Sequence, residues 1–248
     1  MSIIFNYVKQ DEDSRDYIYQ SQNLQLTETH YLTDVQMTSC PILDQGNLGS
    51  CVAQSVYALL YIMSKGKITL SRLQLYMCLR ASDSSSLTKD TGGTIRGVMK
   101  AISKYGVCDE NLWSYNIANF DKLAPKPAFS NTYNISNFIY TFITQDYKSI
   151  KEVLVSGSPI ICGIAVYESF QSNNSNKYGI IPTPDTTTEK LLGGHAILLI
   201  GYDDKSKTFK FQNSWGTNWG DKGYGYIPYD YVINTSLCFD LCKISFNL

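Results

Sequence analysis

The chain has 248 residues, with 21 basic and 22 acidic side chains and a formal net charge of −1. That balance excludes partners chosen by bulk electrostatics, so neither nucleic acid nor an anionic membrane is expected. The longest apolar runs, such as Ile197 to Ile200, are too short to cross a bilayer. The length suits one large domain or two tightly joined ones around a sizeable core.

Residues 1–38 are polar and rich in tyrosine, with their densest charge at Asp11-Glu12-Asp13-Ser14-Arg15-Asp16-Tyr17. The start has no basic n-region and is a poor secretory signal, so a cytoplasmic, host-cell or virion-associated protein is expected, not a secreted one. The seven cysteines, at 40, 51, 78, 108, 162, 238 and 242, are odd in number and irregularly spaced, and reduced thiols are expected. Without a CxxC pair, and with only two histidines in the chain, no metal site is predicted and no cofactor is called for.

A glycine-rich stretch, Gln45-Gly46-Asn47-Leu48-Gly49-Ser50, leads to Cys51 and then to an apolar run ending at Met63, with Gly66 just beyond. This reads as a buried helix with Cys51 in its first turn. Unpaired backbone N–H groups and the positive end of the helix dipole at that position favour thiolate, the attacking form of cysteine. Ser71-Arg72-Leu73-Gln74 reads as a capping box that starts a helix to about Arg80. After a serine-rich loop and Gly92-Gly93, the spacing of Ile95, Val98, Met99 and Ile102 predicts an amphipathic helix stopped by Gly106.

The character changes after Pro125-Lys126-Pro127. Strands are predicted at Phe138–Ile143, Ile160–Val166, His195–Tyr202, Thr208–Gln212, Gly223–Ile227 and Cys238–Phe246, with a helix capped by Asp146 among them. Cys238 and Cys242 fall on one face of the last strand. His195 heads an apolar strand, and Asn213 follows 18 residues later in Asn213-Ser214-Trp215-Gly216-Thr217-Asn218-Trp219-Gly220.

These three stretches together resemble the papain family of cysteine peptidases, from about Pro41 to the C-terminus. The Cys51-to-His195 separation of 144 residues lies in the roughly 130–150 range of that family. The resemblance implies an α+β fold of two subdomains, a helical one over residues 39–135 and an antiparallel, barrel-like one over 136–248, with a cleft between them. It implies hydrolysis of peptide bonds in a polypeptide substrate through a thioester acyl-enzyme, by a protein that is most simply a monomer. Cys51 would be the nucleophile, His195 the acid/base, Asn213 the residue orienting the imidazole, Trp215 its cover, and Gln45 the oxyanion-hole donor. Gly93, Thr94, Ile95, Gly194 and Ala196 match substrate-contacting positions and suggest an apolar second subsite.

Two other readings of the same residues are a catalytically silent peptide-binding protein and a different acyl transferase or deconjugating enzyme. Secreted relatives carry a disulfide whose two cysteines would fall at Leu48 and at Asp90 or Thr91; both are missing here, which suits a reducing compartment. Asp13 to Tyr17 matches a motif of a bacterial and viral branch with a short N-terminal segment. Part of residues 1–38 is therefore expected to lie over or beside the cleft as a latch. The Tyr, Asn and Ile content points to an AT-rich genome, of a large DNA virus or a bacterium.

Overall fold

The computed structural model describes residues 3–31, 40–82, 87–133, 135 and 138–246. Two short strands, β1 (Tyr17–Ile18) and β2 (Thr29–Tyr31), come first. The apolar run then forms helix α1 (Cys51–Met63), buried around almost its whole circumference. Such a helix is stabilised by packing on every side, as its lack of a polar face requires. It is followed by α2 (Arg72–Ser82) and α3 (Ile95–Tyr105). In α3 the four spaced apolar residues are all buried, Thr94 caps the first turn by accepting from Gly97 N, and Gly106 closes the helix at φ 63°.

Only half of the expected capping box forms on α2. Ser71 Oγ accepts from Gln74 N at 3.1 Å, but Gln74 Oε1 accepts from Cys108 N at 2.8 Å instead of reaching back. Cys108 lies on β3 (Val107–Cys108), where an unpaired buried amide would be costly, and the glutamine satisfies it. The Ser71 amide finds its own acceptor at Cys108 O.

The second half begins with α4 (Lys126–Ser130) and β4 (Thr132–Tyr133), which pairs with β3. It continues through β5 (Ile139–Phe142), α5 (Tyr147–Val155), β6 (Ile160–Tyr167), α6 (Asn173–Tyr178), β7 (Leu191–Asp203), β8 (Thr208–Gln212), β9 (Tyr224–Pro228), α7 (Tyr229–Ile233) and β10 (Cys238–Ser245). The large sheet runs β1-β5-β10-β6-β7-β8-β9, with β2 paired to β7. Every pair in it is antiparallel except β1 with β5.

Two strands differ from expectation in ways that matter at the site. β7 starts at Leu191, so His195 lies inside the strand, because Gly193 and Gly194 already pair with Val166 and Ala165 of β6. β10 is broken by a register shift between Phe239 and Cys242, and Asp240 there has φ 59°. A bulge of this kind redirects a side chain that regular alternation would place elsewhere.

The N-terminal segment is tied to both halves of the fold. β1 adds to the sheet beside β5, and β2 pairs with the far end of β7. The fully buried Glu152 on α5 accepts from Ser21 Oγ and Gln22 N, each at 3.0 Å. On the helical side Arg96 of α3 forms an ion pair with Asp16 and donates to Asp11 O at 2.7 Å. The remainder of the expected extension, residues 1–2 and 32–38, lies outside the described residues. All seven cysteines are free and buried.

Candidate active site between helix α1 and strand β7

Helix α1 packs directly on β7, and Ser55 Oγ donates to Ala196 O at 3.1 Å. That bond ties α1, four residues after Cys51, to the strand that carries His195, and the Cys51 thiol lies within reach of the Ala196 backbone N–H. His195 Nε2 and Asn213 Oδ1 are 2.8 Å apart. Asn213 Oδ1 also accepts from Ser214 N at 2.8 Å, so the amide oxygen, not its nitrogen, faces the imidazole. Nε2 therefore carries a proton and Nδ1 is left as the free ring nitrogen, buried and without a partner among the described residues. Trp215 covers the ring at a centroid distance of 4.7 Å.

Gln45 is fully buried and held at both ends. Its Oε1 accepts from Ser214 Oγ at 2.6 Å, its Nε2 donates to Leu48 O at 3.0 Å, and its backbone N donates to Ser214 O at 2.8 Å. The side-chain amide retains a second N–H beside the start of α1. Ser214, which stands next to Asn213 in the same motif and was not among the expected site residues, thus holds Gln45 from two sides.

The electrostatics depart from the sequence expectation. Burial pushes the Cys51 thiol up to about 11, outweighing the backbone N–H groups of Ala196, Val52 and Cys51 itself, which pull it down. The Asp90 carboxylate adds to the rise. It already occupies the entrance to α1, accepting from Gly49 N at 2.9 Å and from the Tyr76 hydroxyl. Burial likewise draws His195 down to about 4, against the opposing effect of Asn213. Both groups are neutral near pH 7 in this state. Desolvation disfavours charge more strongly than one helix terminus favours it.

The chain's own N-terminus packs over His195 and the strand that carries it. Cys51 and His195 have no exposed surface. Phe5 stands edge-on to His195 and Trp215, at 6.3 and 5.8 Å between centroids. Tyr7 N donates to Gly194 O at 2.9 Å, and Val8 N donates to Gly93 O at 3.1 Å. Asn6 Nδ2 donates to Asp90 O at 3.0 Å. The close approach needs glycine: a Cβ on Gly92 would lie 1.7 Å from Asn6 O, and one on Gly194 would lie 2.4 Å from Tyr7 O.

Of the residues suggested for substrate contact, Gly93 and Gly194 therefore present their carbonyls to an extended strand. Thr94 is engaged in capping α3, and Ile95 and Ala196 are buried in the core. The side chain that this strand carries between the two glycines is a tyrosine. Tyr7 is buried, and its hydroxyl donates to Asp240 Oδ2 at 2.6 Å. Among the described residues no cluster of three or more His, Cys, Asp or Glu side chains could hold a metal ion, and no helix is long and apolar enough to cross a membrane.

Known proteins resemble this chain in sequence and in fold. The family model described as papain family cysteine protease matches residues 28–244. An uncharacterized peptidase C1-like protein of Acanthamoeba polyphaga mimivirus is 37% identical over 211 residues, covering 80% of this chain and 67% of its own. Cysteine proteinase 15A of Pisum sativum is 28% identical over 208 residues, and the match spans only 53% of its length. Among solved structures, xylellain, a cysteine protease from Xylella fastidiosa, superposes with a TM-score of 0.88 at 31% identity, covering 98% of this chain and 96% of that one. The procathepsin B of Trypanosoma congolense shares the fold, with a TM-score of 0.78 at 18% identity, over 99% of this chain and 87% of its own.

Proposed function

The chain belongs to the papain family of cysteine proteases, and on that premise we propose that it is an endopeptidase using Cys51 as nucleophile, closed by its own residues 5–10. The observation that carries this reading is the His195–Asn213 contact at 2.8 Å, which leaves imidazole Nδ1 unpartnered among the described residues on β7, the strand against which α1 packs.

In the open enzyme, His195 takes the Cys51 proton and the resulting thiolate attacks the scissile carbonyl carbon, pushing its π electrons onto oxygen. The Gln45 amide and the Cys51 backbone N–H hold that oxyanion. As the tetrahedral intermediate collapses, the C–N bond breaks and His195 gives its proton to the departing amine, leaving a thioester on Cys51. Water, deprotonated by His195, then attacks the thioester, releasing the carboxylic acid and regenerating the thiol. Asn213 keeps the ring in one orientation and Trp215 shields their hydrogen bond from water.

The test is cleavage of a denatured protein and of short fluorogenic peptides after residues 1–10 have been removed. Cys51→Ala and His195→Ala should each abolish turnover. Incorporation of a primary amine without peptide cleavage would instead assign a different acyl transfer.

Gln45→Ala is expected to lower kcat by about 10²–10³, the usual effect of losing one oxyanion donor. Ser214→Ala, which releases Gln45 Oε1, should lower kcat by a smaller factor. Circular dichroism and thermal melting separate a catalytic loss from unfolding.

A further inference from the structure

Tyr7 sits in a pocket with its own chemistry. Gly163 of β6 makes room for the ring, since a Cβ there would stand 2.2 Å from Tyr7 Cε1. Phe239 packs against it with centroids 5.6 Å apart and the planes tilted by 33°. At the end of the pocket the half-buried Asp240, turned by the β10 bulge, accepts from the Tyr7 hydroxyl at 2.6 Å and from Gln10 N at 3.0 Å. Both donors belong to the N-terminal segment. When that segment leaves, Asp240 is left as a half-buried acceptor without either of them, and such a group is costly until a new donor arrives.

We propose that this pocket, floored by Asp240, is a specificity site of the peptidase and that it selects tyrosine in the substrate, with Tyr7 occupying it as an internal stand-in. The inference rests on the peptidase reading above. Residues 5–8 run from Phe5, at His195 and Trp215, out to Tyr7. A substrate crossing Gly93 and Gly194 in the opposite chain direction therefore places a side chain where Tyr7 lies, on the amino-terminal side of its scissile bond. Tyrosine fits better than a plain aromatic because only its hydroxyl satisfies the carboxylate. A site built around a buried polar partner discriminates strongly against the analogue that lacks it. It also fits better than a lysine or arginine. Gly163 and Phe239 shape the pocket for a flat ring, and Arg96 already lies near enough to Asp240 to offset part of its charge.

The experiment uses Tyr7→Ala protein, in which the pocket is vacated, and fluorogenic peptides identical except for Tyr, Phe, Leu or Arg at the second residue before the scissile bond. The expected result is a kcat/KM at least tenfold higher for Tyr than for Phe. In the Tyr7→Ala, Asp240→Ala protein that ratio should fall to about one, while cleavage of the Phe peptide persists. Cleavage with Phe or Leu equal to or better than Tyr, or with Arg best, would overturn the assignment while leaving the peptidase reading intact. If no peptide were cleaved, the peptidase reading would fall. The subsite is then decided separately, by the binding of the Tyr and Phe peptides to Tyr7→Ala, Cys51→Ala protein: tighter binding of Tyr supports it, and equal binding overturns it.

Discussion

Tyr7→Ala in the full chain is expected to raise the rate of peptide hydrolysis by about 10²–10³ over the unaltered protein. The segment that closes the cleft is joined to the enzyme, so its grip is set by the contacts it makes there. The two backbone bonds to Gly194 and Gly93 survive the substitution. What is lost is a buried aromatic ring against Phe239 and its hydroxyl bond to Asp240. Truncating a buried aromatic to alanine typically costs about 3–5 kcal/mol. At about 1.4 kcal/mol per decade, that shifts the closed-to-open ratio by about 10²–10³. Phe5→Ala should act in the same direction through loss of its contacts with His195 and Trp215. An unchanged rate in Tyr7→Ala, with the fold intact by circular dichroism, would show that residues 5–10 do not restrain the enzyme.

The second large effect is on pH. With the cleft closed, the Cys51 thiol titrates near 11 and His195 near 4, whereas ordinary values are about 8.5 and 6.5. A histidine whose pKa is depressed in the closed state favours closure above its ordinary value. That contribution is lost as pH falls from about 6.5 toward 4. The raised cysteine works in the opposite direction: closure is favoured while the thiol is protonated, and the contribution fades as pH rises from about 8.5 toward 11. The groups packed against His195, namely Phe5, Trp215 and Asn213, do not titrate in this range.

Closure is therefore expected to be tightest between about pH 6.5 and 8.5 and to loosen on either side. Alkylation of Cys51 in the intact chain should rise about tenfold per pH unit through the neutral range, as expected for a thiol with a pKa well above it. In Tyr7→Ala protein, relief of burial lowers the thiol pKa and raises that of the imidazole toward their ordinary values, and the rise should level off above about pH 8.5. Mass spectrometry against Cys51→Ala isolates this cysteine from the other six. Parallel profiles for the two proteins would contradict the argument.

The parts of the site that could be read from sequence share one property: each is fixed by its immediate neighbours. Cys51 is placed by a glycine-rich turn and an apolar helix, His195 by a strand, and Asn213 by a compact loop containing its own backbone donor at Ser214. The fold then joins Asn213 to His195 and Gln45 to Ser214. The helical first half and the β second half were legible for the same reason, since period and turn chemistry are local.

What escaped depends on contacts between distant residues. Tyr7 and Asp240 are 233 positions apart, and Asp240 reaches the pocket only through a bulge set by the register of β10 against β6. An alternating strand reading hides that residue between Cys238 and Cys242. The ionisation of Cys51 was misjudged on similar grounds. The helix terminus is visible in the sequence, but the complete burial of the thiol, and the Asp90 carboxylate waiting at the same terminus, are not.

The central claim, that Cys51 is an activated nucleophile shut in by residues 5–10, is tested most directly by intact mass after exposure to an epoxysuccinyl inhibitor. The account predicts slow labelling of the unaltered chain, fast formation of a single adduct on Tyr7→Ala protein, and no adduct once Cys51→Ala is added. A folded Tyr7→Ala protein that takes no adduct, or that keeps its adduct when Cys51 is replaced, would contradict it.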